Sequence, residues 1–130
     1  MSRAEGEIAV PREDVWRVLA EPYHFGDWWP GVVGVQPDRR GFAEGARWTV
    51  RLRTHTVFTG RGERETMLLV REVEAEELFA FHLLLGSRDV QMRTRAVGPF
   101  RTGVTIEATG RRPPVEEALR RLRDLCETQI

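Results

Sequence analysis

The chain has one cysteine, Cys126, so no intrachain disulfide can form and nothing in its cysteine usage calls for an oxidising compartment. A cytoplasmic location is expected. Net charge is also lacking, because 20 basic and 20 acidic side chains cancel, and with it goes the overall field that draws a protein onto nucleic acid or an anionic bilayer. Neither nucleic acid nor membrane insertion is expected. No stretch approaches the ~20 apolar residues that span a bilayer, and residues 1–7 lack the apolar run of a secretory signal. Repeats, low-complexity tracts and linkers are missing too. Prolines and glycines fall singly between periodic segments, as turns do within one domain covering residues 1–130.

What is present is a 41% hydrophobic chain of 130 residues, enough for one core. A strand is expected at residues 4–10. Pro11 then opens a helix whose first turn carries Glu13 and Asp14, with Val15, Val18 and Leu19 at helical spacing, and Pro22 ends it near Ala20. Residues 23–30 read Tyr-His-Phe-Gly-Asp-Trp-Trp-Pro, the densest chemical information in the chain. A tight turn whose rings close one end of a core is expected there.

Beyond Gly31 the period shifts towards two, through Val32, Val33 and Val35, a turn at residues 37–45, and then a strand with Trp48, Val50 and Leu52 on one face. Val57 and Phe58 either prolong this strand or belong to the turn after it. Residues 64–74 form another strand, but Met67, Leu68, Leu69 and Val70 are apolar on both parities, so its inner face stays open, with a bulge near Arg71 as one option. Residues 78–85 are apolar on both parities, so either Phe79, Phe81 and Leu83 or Ala80, His82 and Leu84 face inward. Val90, Met92, Thr94 and Ala96, then Val104, Ile106 and Ala108, give two one-sided strands. From Pro113 and Pro114 an amphipathic helix runs to residue 130, with Val115, Ala118, Leu119, Leu122, Leu125 and Cys126 in one stripe. The class is α+β, with helices on one side of an antiparallel sheet.

Residues 8–11, Val15 and Trp16, followed by Phe25, Trp28, Trp29 and Pro30, resemble the opening of the START-like helix-grip superfamily. The likeness is nearest to its polyketide cyclase/dehydrase and lipid-transport branch, SRPBCC. It continues through Gly45, Ala46, Arg47 and Trp48, the strand ending Arg71, Glu72, Val73 and Glu74, and the final helix. The resemblance implies seven curved strands wrapped around the last helix and an apolar cavity between them. Members bind lipids, polyketides and other ring compounds, and some catalyse cyclisation or dehydration, so the fold alone does not decide the activity. The compact chain and modest last helix imply a small cavity, or none in the free state.

On this resemblance Phe25, Trp28, Trp29 and Trp48 are candidates to stack on a ring-shaped ligand, and Val50, Leu52, Met92, Val104, Ile106, Leu119 and Leu122 to line its cavity. Ordinary core packing accounts for all of them equally well. Binding or transport of a hydrophobic small molecule, without cofactor, by a monomer or homodimer, is the leading expectation. The alternative is a cyclase or dehydratase in which His82 or His24 moves protons and Arg71 or Tyr23 steers an enolate. A third reading has an exposed Trp28 and Trp29 patch docking a partner. The histidines His24, His55 and His82 lack the spacing of a zinc motif, so no metal is expected. No nucleophile elbow, phosphate loop or dinucleotide fingerprint occurs.

Overall fold

A computed structural model describes residues 1–56 and 60–128. Seven strands make one antiparallel sheet: β1 (Ser2–Ile8), β2 (Val32–Gln36), β3 (Arg47–Thr56), β4 (Gly60–Glu74), β5 (Leu78–Leu83), β6 (Arg88–Gly98) and β7 (Arg101–Ala108). Their spatial order is β1-β7-β6-β5-β4-β3-β2, so the first two strands of the chain form the two edges. Between β1 and β2 run α1 (Arg12–Leu19), a 3-10 turn (Pro22–His24) and α2 (Phe25–Trp28), and the chain closes with α3 (Val115–Thr128). This is the helix-grip fold expected of the sequence. Val57 and Phe58 lie outside the described residues.

Strand β1 ends two residues earlier than expected. Its ladder to β7 stops at Ile8 opposite Thr102, and the buried Thr102 hydroxyl then donates to the Val10 carbonyl at 2.8 Å, so the chain leaves the sheet before Pro11. Pro11 is extended, and α1 buries Val15, Val18 and Leu19 as their spacing requires. The α3 stripe of Val115, Ala118, Leu119, Leu122 and Cys126 is buried, and the helix packs on β1 and β7. Gly6 allows that approach, since a Cβ there would stand 3.1 Å from Leu119 and 2.6 Å from the Arg123 guanidinium. Polar clamps seal the seam: Arg123 Nε donates to the Glu7 carbonyl at 3.1 Å, and Ala9 N–H donates to the Glu127 carboxylate at 2.9 Å. Burial, reinforced by Glu127 and Asp14, pushes the Cys126 thiol up to about 12, so it stays a protonated packing group.

The ambiguous strands are resolved by register. Leu83 pairs Leu68 and Phe81 pairs Val70, and all four are buried, so Phe79, Phe81 and Leu83 form the inner row of β5. The register of β4 slips between Val70 and Glu72, which places the bulge at Arg71. At the opposite end, Asp38 organises the loop between β2 and β3 by accepting from the N–H groups of Arg47 at 2.9 Å and Arg40 at 3.0 Å. The Arg47 bond above all, with help from Arg40 and Gly41, holds its carboxyl below the usual range against a smaller desolvation effect.

Candidate ligand site

Phe25 sits at the centre of a ring cluster because α2 follows the 3-10 turn directly and aims its short apolar face into the sheet. Its ring meets Trp28 edge-on at 5.1 Å, Phe81 at 5.4 Å and Trp48 at 6.0 Å, and lies parallel to Trp29 at 6.2 Å. Phe79 continues the cluster from Phe81 at 5.0 Å to Phe42, in the loop between β2 and β3, at 4.7 Å. These contacts fill the space between α2 and the sheet. Trp28 and Trp29 are 1% and 3% exposed, which overturns the expectation of an exposed tryptophan patch: their rings close the core.

Two indoles in this cluster are treated differently. Trp48 Nε1 donates to the Gly41 carbonyl at 2.7 Å. Trp28 Nε1 is buried and has no hydrogen-bond partner among the described residues. Leaving such a donor unpaired costs about 1–3 kcal/mol, so its retention calls for an explanation.

Beside Trp29 the surface opens into a groove of about 340 Å³ between the turn after α2, β3, the link from β5 to β6 and Pro114 just ahead of α3. Trp29, Pro30, Gly31, Leu52, Arg53, Thr54, Leu83, Leu85, Gly86, Arg88 and Pro114 line it, a set with apolar walls and no acid. Arg88 shares the inward parity of Val90 and Met92. Its guanidinium donates to the carbonyls of Arg111 at 2.8 Å and Thr109 at 3.5 Å, which fixes it under the link from β7 to α3. A larger groove, about 430 Å³, has walls of Arg3, Glu5, Arg93, Arg95 and Glu107 among others. Its mixed charge and exposed ion pairs, such as Arg3 with Glu107 at 3.8 Å, are those of a solvated surface.

Of the residues expected to line a cavity, Val50, Met92, Val104, Ile106, Leu119 and Leu122 are buried in the core, and Leu52 and Trp29 reach the groove. The structure brings none of the four acid-base candidates there. His82 belongs to the outer row of β5, with Nδ1 2.7 Å from Asp89, and Arg71 stands on the same face 3.8 Å from that carboxylate. His24 Nδ1 pairs with Asp27 at 3.1 Å on the turn, and Tyr23 is 61% exposed. Sequence reasoning missed Leu83, Leu85, Arg88 and Pro114. Arg88 could have been found by extending the alternation of Val90 and Met92 one step back. Among the described residues no three His, Cys, Asp or Glu side chains form a metal-holding group.

Residues 9–112 match the family model described as Activator of Hsp90 ATPase homolog 1-like protein. The chain belongs to this family. Solved structures agree on the helix-grip, START-like fold of this AHSA1-like chain. It is similar to a START superfamily protein from Mycobacterium smegmatis, at 12% identity and a TM-score of 0.71, covering 99% of this chain and 98% of that one. A structural-genomics target from Deinococcus radiodurans has 17% identity and a TM-score of 0.72 over 98% and 95% of the two chains. The di-domain ARO/CYC StfQ from the steffimycin biosynthetic pathway has 15% identity and a TM-score of 0.67, over 97% of this chain and 43% of that one. No curated protein matches the AHSA1-like chain in sequence. No helix among its described residues is long and apolar enough to cross a membrane.

Proposed function

We propose that the chain binds, and does not transform, a small apolar ring compound that enters at the groove beside Trp29. The observation that carries this reading is the buried, unpartnered Trp28 Nε1. A ligand oxygen accepting that N–H would remove the cost of the orphaned donor, while the neighbouring rings of Trp29 and Phe25 supply apolar contact worth about 25 cal/mol per Å² buried. Space for the guest comes from Trp29, the ring that separates the groove from Trp28 at a centroid distance of 6.1 Å. The likeness to ARO/CYC StfQ raises a cyclase as the alternative. Against it, none of the described residues lining the groove is a histidine, tyrosine or carboxylate placed to move a proton.

The test is a thermal-shift and native mass-spectrometry screen of ring compounds carrying a carbonyl or hydroxyl, on the full chain and on Trp28→Phe. Compounds that stabilise the wild type should do so by several degrees at saturating concentration. Trp28→Phe, which keeps an apolar ring but has no donor, should lose about tenfold in affinity for them. A broad screen without stabilisation or bound mass would overturn the proposal, as would equal binding by the variant.

A further inference from the structure

Resting on that reading, we infer that the ligand carries an anionic group, a carboxylate or phenolate, and that Arg88 fixes it at the mouth of the groove. Arg88 is half-buried, none of the described ion pairs involves it, and none of the described residues lining the groove is an acid that neutralises it. Contrast Arg51 and Arg71, on the outer face, which face Glu63 at 3.6 Å and Asp89 at 3.8 Å. A guanidinium has five N–H donors. Two are directed at the Arg111 and Thr109 carbonyls, and these bonds hold the plane in place while leaving the other donors uncommitted among the described residues.

A cation held still against apolar walls, with no carboxylate beside it, suits an anion better than water does, because the surrounding Trp29, Leu83, Leu85 and Pro114 lower the local dielectric. The charged bond adds to affinity without the entropy of ordering a free arginine. The ligand class is thus amphipathic: an aromatic or alicyclic body facing Trp29 and Leu52, an oxygen at its inner end for Trp28 Nε1, and one negative oxygen group at Arg88. Arg53 also borders the groove, but it alternates with the inward Leu52 and Thr54 and projects from the opposite parity of β3.

The experiment compares 6-hydroxy-2-naphthoate, whose hydroxyl is free for Trp28 when its carboxylate is at Arg88, with its uncharged isostere 6-hydroxy-2-naphthamide, following quenching of the intrinsic tryptophan fluorescence. Wild type should bind the acid about tenfold more tightly than the amide, and the ratio should shrink as salt rises from about 0.05 to 0.5 M. Arg88→Gln should bring the ratio to one. Arg88→Lys should retain part of the preference, and Arg51→Gln, on the outer face, all of it. The acid–amide ratio of the wild type needs no variant to fold, so it tests the inference even if Arg88→Gln loosens the link to α3. If both probes bind alike, the anion assignment falls and the small-molecule reading survives. If neither binds although other ring compounds of the screen do, the anion assignment falls alone; if nothing in the screen binds, both fall.

Discussion

The two ends of the grip are equally buried but differently finished. At the β1 and β7 side, Ile8, Val104 and Ile106 share a buried aliphatic core with Leu119 and Leu122 of α3, the buried Thr102 hydroxyl has its carbonyl, and Arg123 and Glu127 tie the helix to the first strand. At the α2 side the filling is aromatic, one indole N–H is left over, and a groove opens beside Trp29. Branched aliphatic chains adjust in small steps and close a seam. Rigid rings meet edge to face and cannot adjust in such steps, so a polar edge such as the Trp28 N–H can be left without a partner.

Truncating Phe81 to alanine attacks the centre of the aromatic end, where its ring touches Phe25, Trp29 and Phe79, and should cost about 3–5 kcal/mol in urea unfolding. Leu122→Ala at the aliphatic end should cost about 2–5 kcal/mol by the same measurement. The ligand response should separate them, with hydroxynaphthoate binding lost in the first and kept in the second. Loss in both would mean that the two ends are one site.

A finer comparison sets the indoles side by side. Trp48→Phe breaks the bond to Gly41, whereas Trp28→Phe breaks none, so Trp48→Phe should be the more destabilising by about 1–3 kcal/mol. Equal costs would indicate that Trp28 has a partner after all. The smallest effect concerns the loop that receives the Trp48 bond. Asp38 is depressed by the Arg47 N–H, so its contribution is present above the unfolded value of 3.8 and disappears as pH falls through the lower folded value. Melting curves between about pH 5 and pH 2 should show wild type and Asp38→Asn converging at the acid end.

The sequence made the architecture legible wherever one face was apolar and the other polar, as in Trp48, Val50 and Leu52, or Met92 against Arg93. It was silent on β5 for a physical reason: Leu78 and Ala80, on the outer row, are themselves 2% and 6% exposed, so both parities look like core. Only the pairing of Leu83 with Leu68 decides it. The run of Met67, Leu68, Leu69 and Val70 left β4 open in the same way, and it is the slip in its pairing with β5 that places the bulge at Arg71. The site was less legible. A tryptophan in a sequence shows its ring but not where its N–H points, and Arg88 looks like any other strand-end charge until the link from β7 to α3 closes over it.

Strand β1 is completed only by β7, with Ser2 opposite Ala108. During synthesis at about 5–20 residues per second, the first strand therefore waits roughly 5–20 s for its neighbour to leave the ribosome. Its composition is suited to that delay: Arg3, Glu5 and Glu7 alternate along it, and only Ala4 and Ile8 are apolar. A nascent edge so charged is a poor template for aggregation, so the last strand to form finds its partner still unpaired.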